Sequence, residues 1–317
     1  GFGKKKIGKH LFLIIIAVLV TTDLVIIDKR FLGNLQKEDT IARTYKKSMT
    51  DKYLLQDKEN FRIYPLGREF GQNSWSYNHQ TIGGYHGAKL KRYQEIIENC
   101  LNVEFQNRVP INWNIVNMLN SKYVLFNRKL PLENLQYMYH DKKKKITIYK
   151  NNDYLSRAWF VENTLVLGDK SEIWNTLNSP NFNPKQTAIL ETEIEKISPP
   201  QTSNIKQTIF DLHKMSFEVE TDTTSFLVVS EIYYPAGWNA YLDGEKIEIH
   251  PTNYILRGVV IPKGAHTLEM KLEPESYAIS TRLSLIGILL TVLLILVGAF
   301  LYYRKHYRGE IVYKLKE

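Results

Sequence analysis

Two stretches of the chain show no alternation of apolar and polar positions. Leu11 to Ile27 (LFLIIIAVLVTTDLVII) and Leu283 to Tyr303 (LSLIGILLTVLLILVGAFLYY) are apolar on every side of a helix, whereas a surface helix would carry one apolar stripe. The second stretch contains no charge. At about 1.5 Å per residue it covers roughly 30 Å, the thickness of a bilayer's hydrocarbon core, and it reads as a transmembrane helix. The first carries Asp23 in its last third, where a carboxylate reaches the interface or a neighbouring helix. Lys4, Lys5, Lys6 and Lys9 ahead of it also fit a signal peptide, but no small-residue cleavage site follows, so residues 11–27 read as a second membrane helix.

Basic clusters favour the cytoplasmic side: lysines precede the first helix, and Arg304, Lys305 and Arg308 follow the second. Residues 1–10 and 304–317 are therefore expected inside, and residues 28–282 outside the cytoplasmic membrane. Lys29 and Arg30 oppose this only weakly, because long translocated loops follow the charge rule poorly. The chain opens with Gly1, which suggests that it begins inside a longer protein.

Between the two helices the pattern changes once. Over residues 28–199 short strands alternate with helices. FRIYPL reads as a strand ended by Pro65, NWNIVNMLN as a helix, and KYVLF and RAWFV as strands. DKSEIWNTLN reads as a helix. KKKKITIYKN sets Ile146 and Ile148 against polar neighbours, as an amphipathic strand does, and Lys142 to Lys145 form a solvated turn. SPPQTSN, residues 198–204, reads as a linker, since two prolines and small polar residues continue neither regular structure.

Residues 200–280 then read as strands throughout, spaced by turns as in a β-sandwich. A type I′ turn at Asp243-Gly244 predicts the pairs Tyr241 with Lys246, Ala240 with Ile247 and Trp238 with Ile249. The predicted fold class is thus an α+β membrane protein, with two transmembrane helices flanking an extracytoplasmic α/β region followed by a β-sandwich. Trp238, Tyr233 and Tyr234 suit either stacking on a sugar ring or a place in the sandwich core.

Composition narrows the class. Cys100 is the single cysteine, so no internal disulfide holds the exported part together. No N-x-S/T sequon occurs, and the two absences together fit a bacterial envelope protein. The net charge of +9 is spread along the chain and partly placed at the two cytoplasmic ends, a poor footprint for nucleic acid. No His/Cys/Asp cluster has metal-ligand spacing, and no G-x-S-x-G elbow occurs.

The candidate chemistry sits in TIGGYHGAKLKRYQEIIE, residues 81–98. Glycines admit close backbone approach, and a helix N-terminus favours anions. Lys89 and Arg92, three apart on one helix face, would converge with Tyr85 and His86 on a phosphate or a sugar hydroxyl, while Lys91 and Glu95 pair on the solvent side. The alternative is a tight turn entering a basic surface helix. The segment lacks the Gly-Lys-Ser/Thr ending of a nucleotide P-loop.

DLVIIDKRFL at the exit of the first helix, TIGGYHGAKLKRYQEIIE with NMLNSKYVL downstream, and YYPAGWNAYLDGEKIEIHPTNYILRGVVIPKGAHTLEMKLEP before the terminal helix resemble the C-terminal part of YfhO-family bacterial membrane proteins. The resemblance covers most of the chain. It implies a polytopic GT-C-type glycosyltransferase that uses a polyprenyl-phosphate sugar as donor and acts on a cell-envelope polymer or glycoconjugate. It implies no cofactor beyond that donor. Its partners would be the lipid bilayer, the protein's own upstream membrane helices, a lipid-linked sugar and an envelope glycan. The acidic outer loop that such enzymes use has no counterpart in these residues, so no catalytic residue is carried over. The alternative is a non-catalytic carbohydrate-binding or assembly module anchored by two membrane helices.

Overall fold

A computed structural model describes residues 9–32, 38–101, 111–130 and 132–314. The basic residues expected ahead of the first helix at positions 4 to 6, and the last three residues of the tail, lie outside these. Helices α1 (Lys9–Leu32) and α7 (Glu275–Lys314) stand at the two ends. Their segments Leu11–Arg30 and Glu275–Lys305 are long and apolar enough to cross a membrane, and none of the residues in their apolar windows is buried. Aliphatic side chains exposed all round such helices are the pattern that an apolar surrounding suits.

Between them lie three sheets. The first contains β1 (Arg62–Pro65), β2 (Gln80–Thr81), β3 (Ser121–Phe126), β4 (Leu135–Asp141) and β5 (Ile146–Asn151), in the order β2-β1-β3-β5-β4. β1 runs parallel to both β2 and β3, and the remaining pairs are antiparallel. Pro65 ends β1, as expected.

β5 is not half-exposed as its alternation predicted. Ile146 and Ile148 pack on one face, while Thr147 and Tyr149 are buried on the other because the strand lies between β3 and β4. The lysines at 142–145 form the exposed β4–β5 turn as expected. Asp141 accepts the Lys143 and Lys144 N–H groups at 2.9 and 3.1 Å there.

The second sheet is built from both sides of the expected boundary at residue 199. β6 (Ala158–Phe160), β7 (Asn163–Val166) and β8 (Thr187–Leu190) come before it. β11 (Ser225–Ile232), β14 (His250–Thr252) and β15 (Leu256–Ile261) come after it, and the order is β6-β11-β15-β14-β8-β7. Leu227, Val228 and Val229 of β11 pair with Phe160, Trp159 and Ala158 of β6.

The boundary therefore marks a change of local composition, not a break in packing. The proline stretch is itself pinned, with Ser198 N–H donating to Thr224 O at 2.8 Å and Gln201 N–H to Asp222 Oδ1 at 3.0 Å. The third sheet contains β9 (Ser203–Phe210), β10 (Lys214–Thr221), β12 (Trp238–Leu242), β13 (Glu245–Ile247) and β16 (Gly264–Leu272). It is antiparallel in the order β13-β12-β16-β10-β9.

Side-chain alternation explains how the sheets share cores. On β11, Leu227 and Val229 join Met215, Phe217, Val219, Ala240, Leu242, Leu268 and Met270 of the third sheet in one cluster. Phe226 and Val228, pointing the other way, join a second cluster. That cluster holds Tyr64, Val124 and Tyr149 of the first sheet, with residues of α4 (Lys91–Ile96), α5 (Trp113–Met118) and α6 (Lys170–Leu177). The second sheet thus stands between two apolar cores, which is why Phe-Leu-Val-Val can be apolar at every position.

The turn at Asp243-Gly244 has φ of 50° and 91°, and the pairs Ala240–Ile247 and Tyr241–Lys246 occur as predicted. Trp238 does not pair with Ile249. β13 ends at Ile247, short of Ile249, while on the other edge of β12 Trp238 pairs with Leu272 of β16.

Candidate functional site

The glycine-rich segment is closed by the protein's own acceptors. Gly83 N–H donates to Thr81 Oγ1 at 3.1 Å, Gly84 N–H to Phe70 O at 2.6 Å, and Tyr85 N–H to Asn73 Oδ1 at 2.6 Å. A side chain at Gly83 would overlap the Phe70 carbonyl, and Gly84 has φ +105°. Gly83 and Gly84 serve close packing against the 3-10 turns before them, whereas Gly87 borders open space.

Leu90 occupies the N-cap position of α4, which places Lys89 ahead of the helix and not on a shared face with Arg92. Tyr85 and His86 are exposed, and the His86 ring accepts Ala88 N–H at 3.0 Å. Glu95 accepts the Tyr254 hydroxyl and the Lys170 ammonium, the latter at 3.3 Å. Its expected partner Lys91 acts on it only through space.

Arg92 points away from the loop. Its guanidinium makes a two-bond contact with Glu191, with Nη2 at 2.9 Å from Oε2, donates to Tyr254 O at 3.0 Å, and lies over the Tyr254 ring at 4.9 Å. The hydrogen bonds that the guanidinium donates to Glu191 hold its pKa above the usual value, against a burial effect that lowers it. This bidentate pair ties α4 to the second sheet. Of the four sequence-predicted residues, Tyr85, His86 and Lys89 stay on the surface segment, and Arg92 is committed to the fold.

A different arginine cluster lies at the junction of all three sheets. Glu231 Oε1 on β11 accepts Arg62 Nη2 from β1 and Arg157 Nη1 just before β6, each at 2.9 Å. Arg62 Nη1 also donates to Leu119 O at 3.2 Å and to Ser230 O at 2.8 Å. Arg157 Nη2 donates to Gln80 Oε1 at 2.7 Å, and its guanidinium lies over Phe210 at 4.9 Å. Only 4 % of the Arg157 side chain is exposed. Burial, and then the charge of Arg62, lower the Arg157 pKa, while Glu231 opposes both.

Beside this junction opens a cavity of about 590 Å³ between β6 and β9, the edge strands of the second and third sheets. Tyr154, Trp159, Phe160 and Phe217 contribute apolar wall, and Glu59, Glu162 and Lys185 contribute charge. Three buried polar atoms of its lining have no protein partner: Arg157 Nε, Gln207 Nε2 and Asn120 Oδ1. Two donors and one acceptor on residues lining one cavity are thus left without a protein partner. The sequence held a signal that reading by motif passed over, a lone charge inside an apolar strand: Arg157 before AWFV and Glu231 after FLVVS.

One further constellation resembles a hydrolytic triad by composition. Buried Asp51 lies 2.9 Å from His79 Nε2 and accepts Ser48 Oγ–H at 2.5 Å. The carboxylate stands between hydroxyl and imidazole, so the imidazole does not touch the hydroxyl. Ser48 and Asp51 form the capping box of α3 (Met49–Leu54). Among the described residues no group of three His, Cys, Asp or Glu side chains is placed to hold a metal.

The fold and the cavity define an α+β chain with a membrane-length helix at each end and a polar, aromatic-walled cavity at a sheet junction. Compared with known families, characterised proteins and solved structures, the chain matches none.

Proposed function

We propose that the chain is the C-terminal part of a polytopic YfhO-like membrane glycosyltransferase. In this reading the three-sheet body faces outward from the bacterial cytoplasmic membrane, and the catalytic acid lies on upstream segments. The body packs the second and third sheets as a sandwich and holds part of an envelope glycan in the Arg157 cavity. The three unpaired polar atoms beside an aromatic wall carry this reading, because sugar hydroxyls supply both the acceptors and the donor that those atoms lack.

Titrating neutral envelope oligosaccharides against the full chain in detergent tests it. Saturable binding is expected, and Gln207→Leu should weaken it by about fivefold to tenfold for one lost hydrogen bond. Absence of saturable binding, or an unchanged Gln207→Leu affinity, refutes the reading.

Orientation has its own test. Leu212 is 83 % exposed, so Leu212→Cys in intact cells should react with a membrane-impermeant maleimide. Protection until the cells are opened would place the body in the cytoplasm.

A second reading, as a non-catalytic assembly module, is favoured by β9. It pairs with β10 on one side only, leaving the other edge of the third sheet unpaired with Ile209 exposed. Under that reading, Ile209→Lys lowers the amount of partner recovered with the chain and leaves glycan binding intact.

A further inference from the structure

Arg257 of β15 is only 3 % exposed, yet among the described residues no carboxylate lies within ion-pair distance of it. Its Nε donates to Ile232 O at 3.1 Å, its Nη1 approaches the Met270 sulfur at 3.9 Å, and its guanidinium lies 4.0 Å from the centre of the Trp238 ring. A guanidinium carries five N–H donors, so most of this one's capacity is unused. The acid whose charge acts on it is Glu231, and that carboxylate already bridges Arg62 and Arg157. Among the described residues Arg257 therefore has no carboxylate of its own at this junction. Leaving a buried charge uncompensated is costly.

The cation faces a space. A second cavity, of about 190 Å³, is lined by Arg257, Trp238, Tyr233, Tyr234 and Ile249, with exposed Lys246 and Glu248 among its remaining walls. It is smaller than the roughly 300 Å³ at which clefts begin to enclose whole small molecules, so it suits one head group. The pocket also sits where the body meets α7. Trp238 pairs with Leu272, and Glu273 N–H donates to Gly237 O at 2.6 Å, two residues before the helix begins.

We propose that this pocket is an oxyanion site, in which Arg257 receives a single phosphate or carboxylate group against the Trp238 ring. Both groups present two oxygens to the guanidinium fork, and both exist in two sources, soluble acidic sugars and lipid head groups. Lys246 adds positive charge at the wall, and Glu248 opposes an anion of charge beyond one. The site is separate from the Arg157 cavity and does not depend on what that cavity binds.

Tryptophan fluorescence tests the proposal, because Trp238 is itself a wall. The full chain is kept in a polyoxyethylene detergent, which carries neither sugar nor phosphate, and titrated with inorganic phosphate and with glucuronate, with chloride at matched ionic strength as control. A saturable change is expected with at least one oxyanion and not with chloride, and Trp238→Phe should abolish it. Arg257→Lys, which keeps the charge and loses the fork, should weaken binding about tenfold, and Arg257→Gln should remove it. Lys246→Glu, on an exposed side chain, should weaken it several-fold and keeps the test decisive if Arg257→Gln does not fold.

A response no different from chloride overturns the proposal. So does an unchanged affinity in both Arg257→Lys and Lys246→Glu. Repeating the titration in discs containing phosphatidylglycerol identifies the source: competition assigns the group to a lipid head group, and undiminished binding assigns it to a soluble acid.

Discussion

Removing the one carboxylate of the arginine junction is the sharpest test of how the three sheets are held together. Glu231→Gln keeps the side chain's shape and one acceptor oxygen but deletes the charge that Arg62 and Arg157 share at 2.9 Å each. The Glu231 side chain is 16 % exposed and those of its partners 11 % and 4 %, so water replaces little of what is lost. Each charge-assisted hydrogen bond contributes about 1.5–3 kcal/mol, and breaking a buried pair by removing one partner costs about 3–5 kcal/mol.

The expected destabilisation of the body is therefore about 3–5 kcal/mol. For a body of this size that corresponds to a fall of roughly 10 °C in its melting midpoint. Near-ultraviolet circular dichroism of the full chain in detergent reads it through the buried aromatic residues. Adding Arg157→Met to Glu231→Gln should cost less than the sum of the two single changes, because the unpaired cation is then gone. A loss under about 1 kcal/mol for Glu231→Gln, or strict additivity, would refute the claim that this charge organises the junction.

Other outcomes follow from the same contacts. Arg92→Ala should lower stability by about 2 kcal/mol or more through loss of the Glu191 pair, whereas Lys89→Ala, at a partly exposed position, should stay within about 0.5 kcal/mol, both read by thermal unfolding. Gly258→Ala would drive a methyl group into the Phe226 ring and the Thr252 hydroxyl, and a destabilisation of about 1–3 kcal/mol is expected. Burial raises the Asp51 pKa, but hydrogen bonds from His79 and Ser48 outweigh it and hold the carboxyl well below its usual range. Its stabilisation is therefore complete above the unfolded value of about 4 and lost as pH falls through the lower folded value, so Asp51→Asn should flatten acid unfolding below pH 4. Burial pushes the Cys100 thiol up to about 12, so Cys100 should resist maleimide until the protein unfolds, leaving an added cysteine at Leu212 as the only reporter.

Much of the local structure was legible in the pattern of residues. Asp243-Gly244 set the β12–β13 register because a two-residue turn with two positive φ values admits one pairing, and that constraint is local. It failed at Trp238 because β13 stops at Ile247 and the chain leaves for β14 of the second sheet at His250, a departure that is not set locally. The exchange of strands across residue 199 was hidden for the same reason: nothing near RAWFV shows that it will pair with SFLVV more than sixty residues later.

The candidate site shows the limit most clearly. Glycines followed by basic residues look like an anion cradle, but their N–H groups were already matched to Phe70, Asn73 and Thr81, which only the fold reveals. Arg62, Arg157 and Glu231 meet because three sheets converge. Their only trace in the sequence is a charge placed where an apolar strand had no other reason for one.

The short passage from β16 into α7 carries a mechanical consequence. Only Glu273 and Pro274 separate strand from helix, and both ends are fastened: Glu273 to Gly237, and Pro274 O to the N–H of Tyr277. A rigid joint of this kind has no slack. A change in the direction of the helix would therefore be felt first at Leu272 and, through its pairing, at Trp238 beside Arg257.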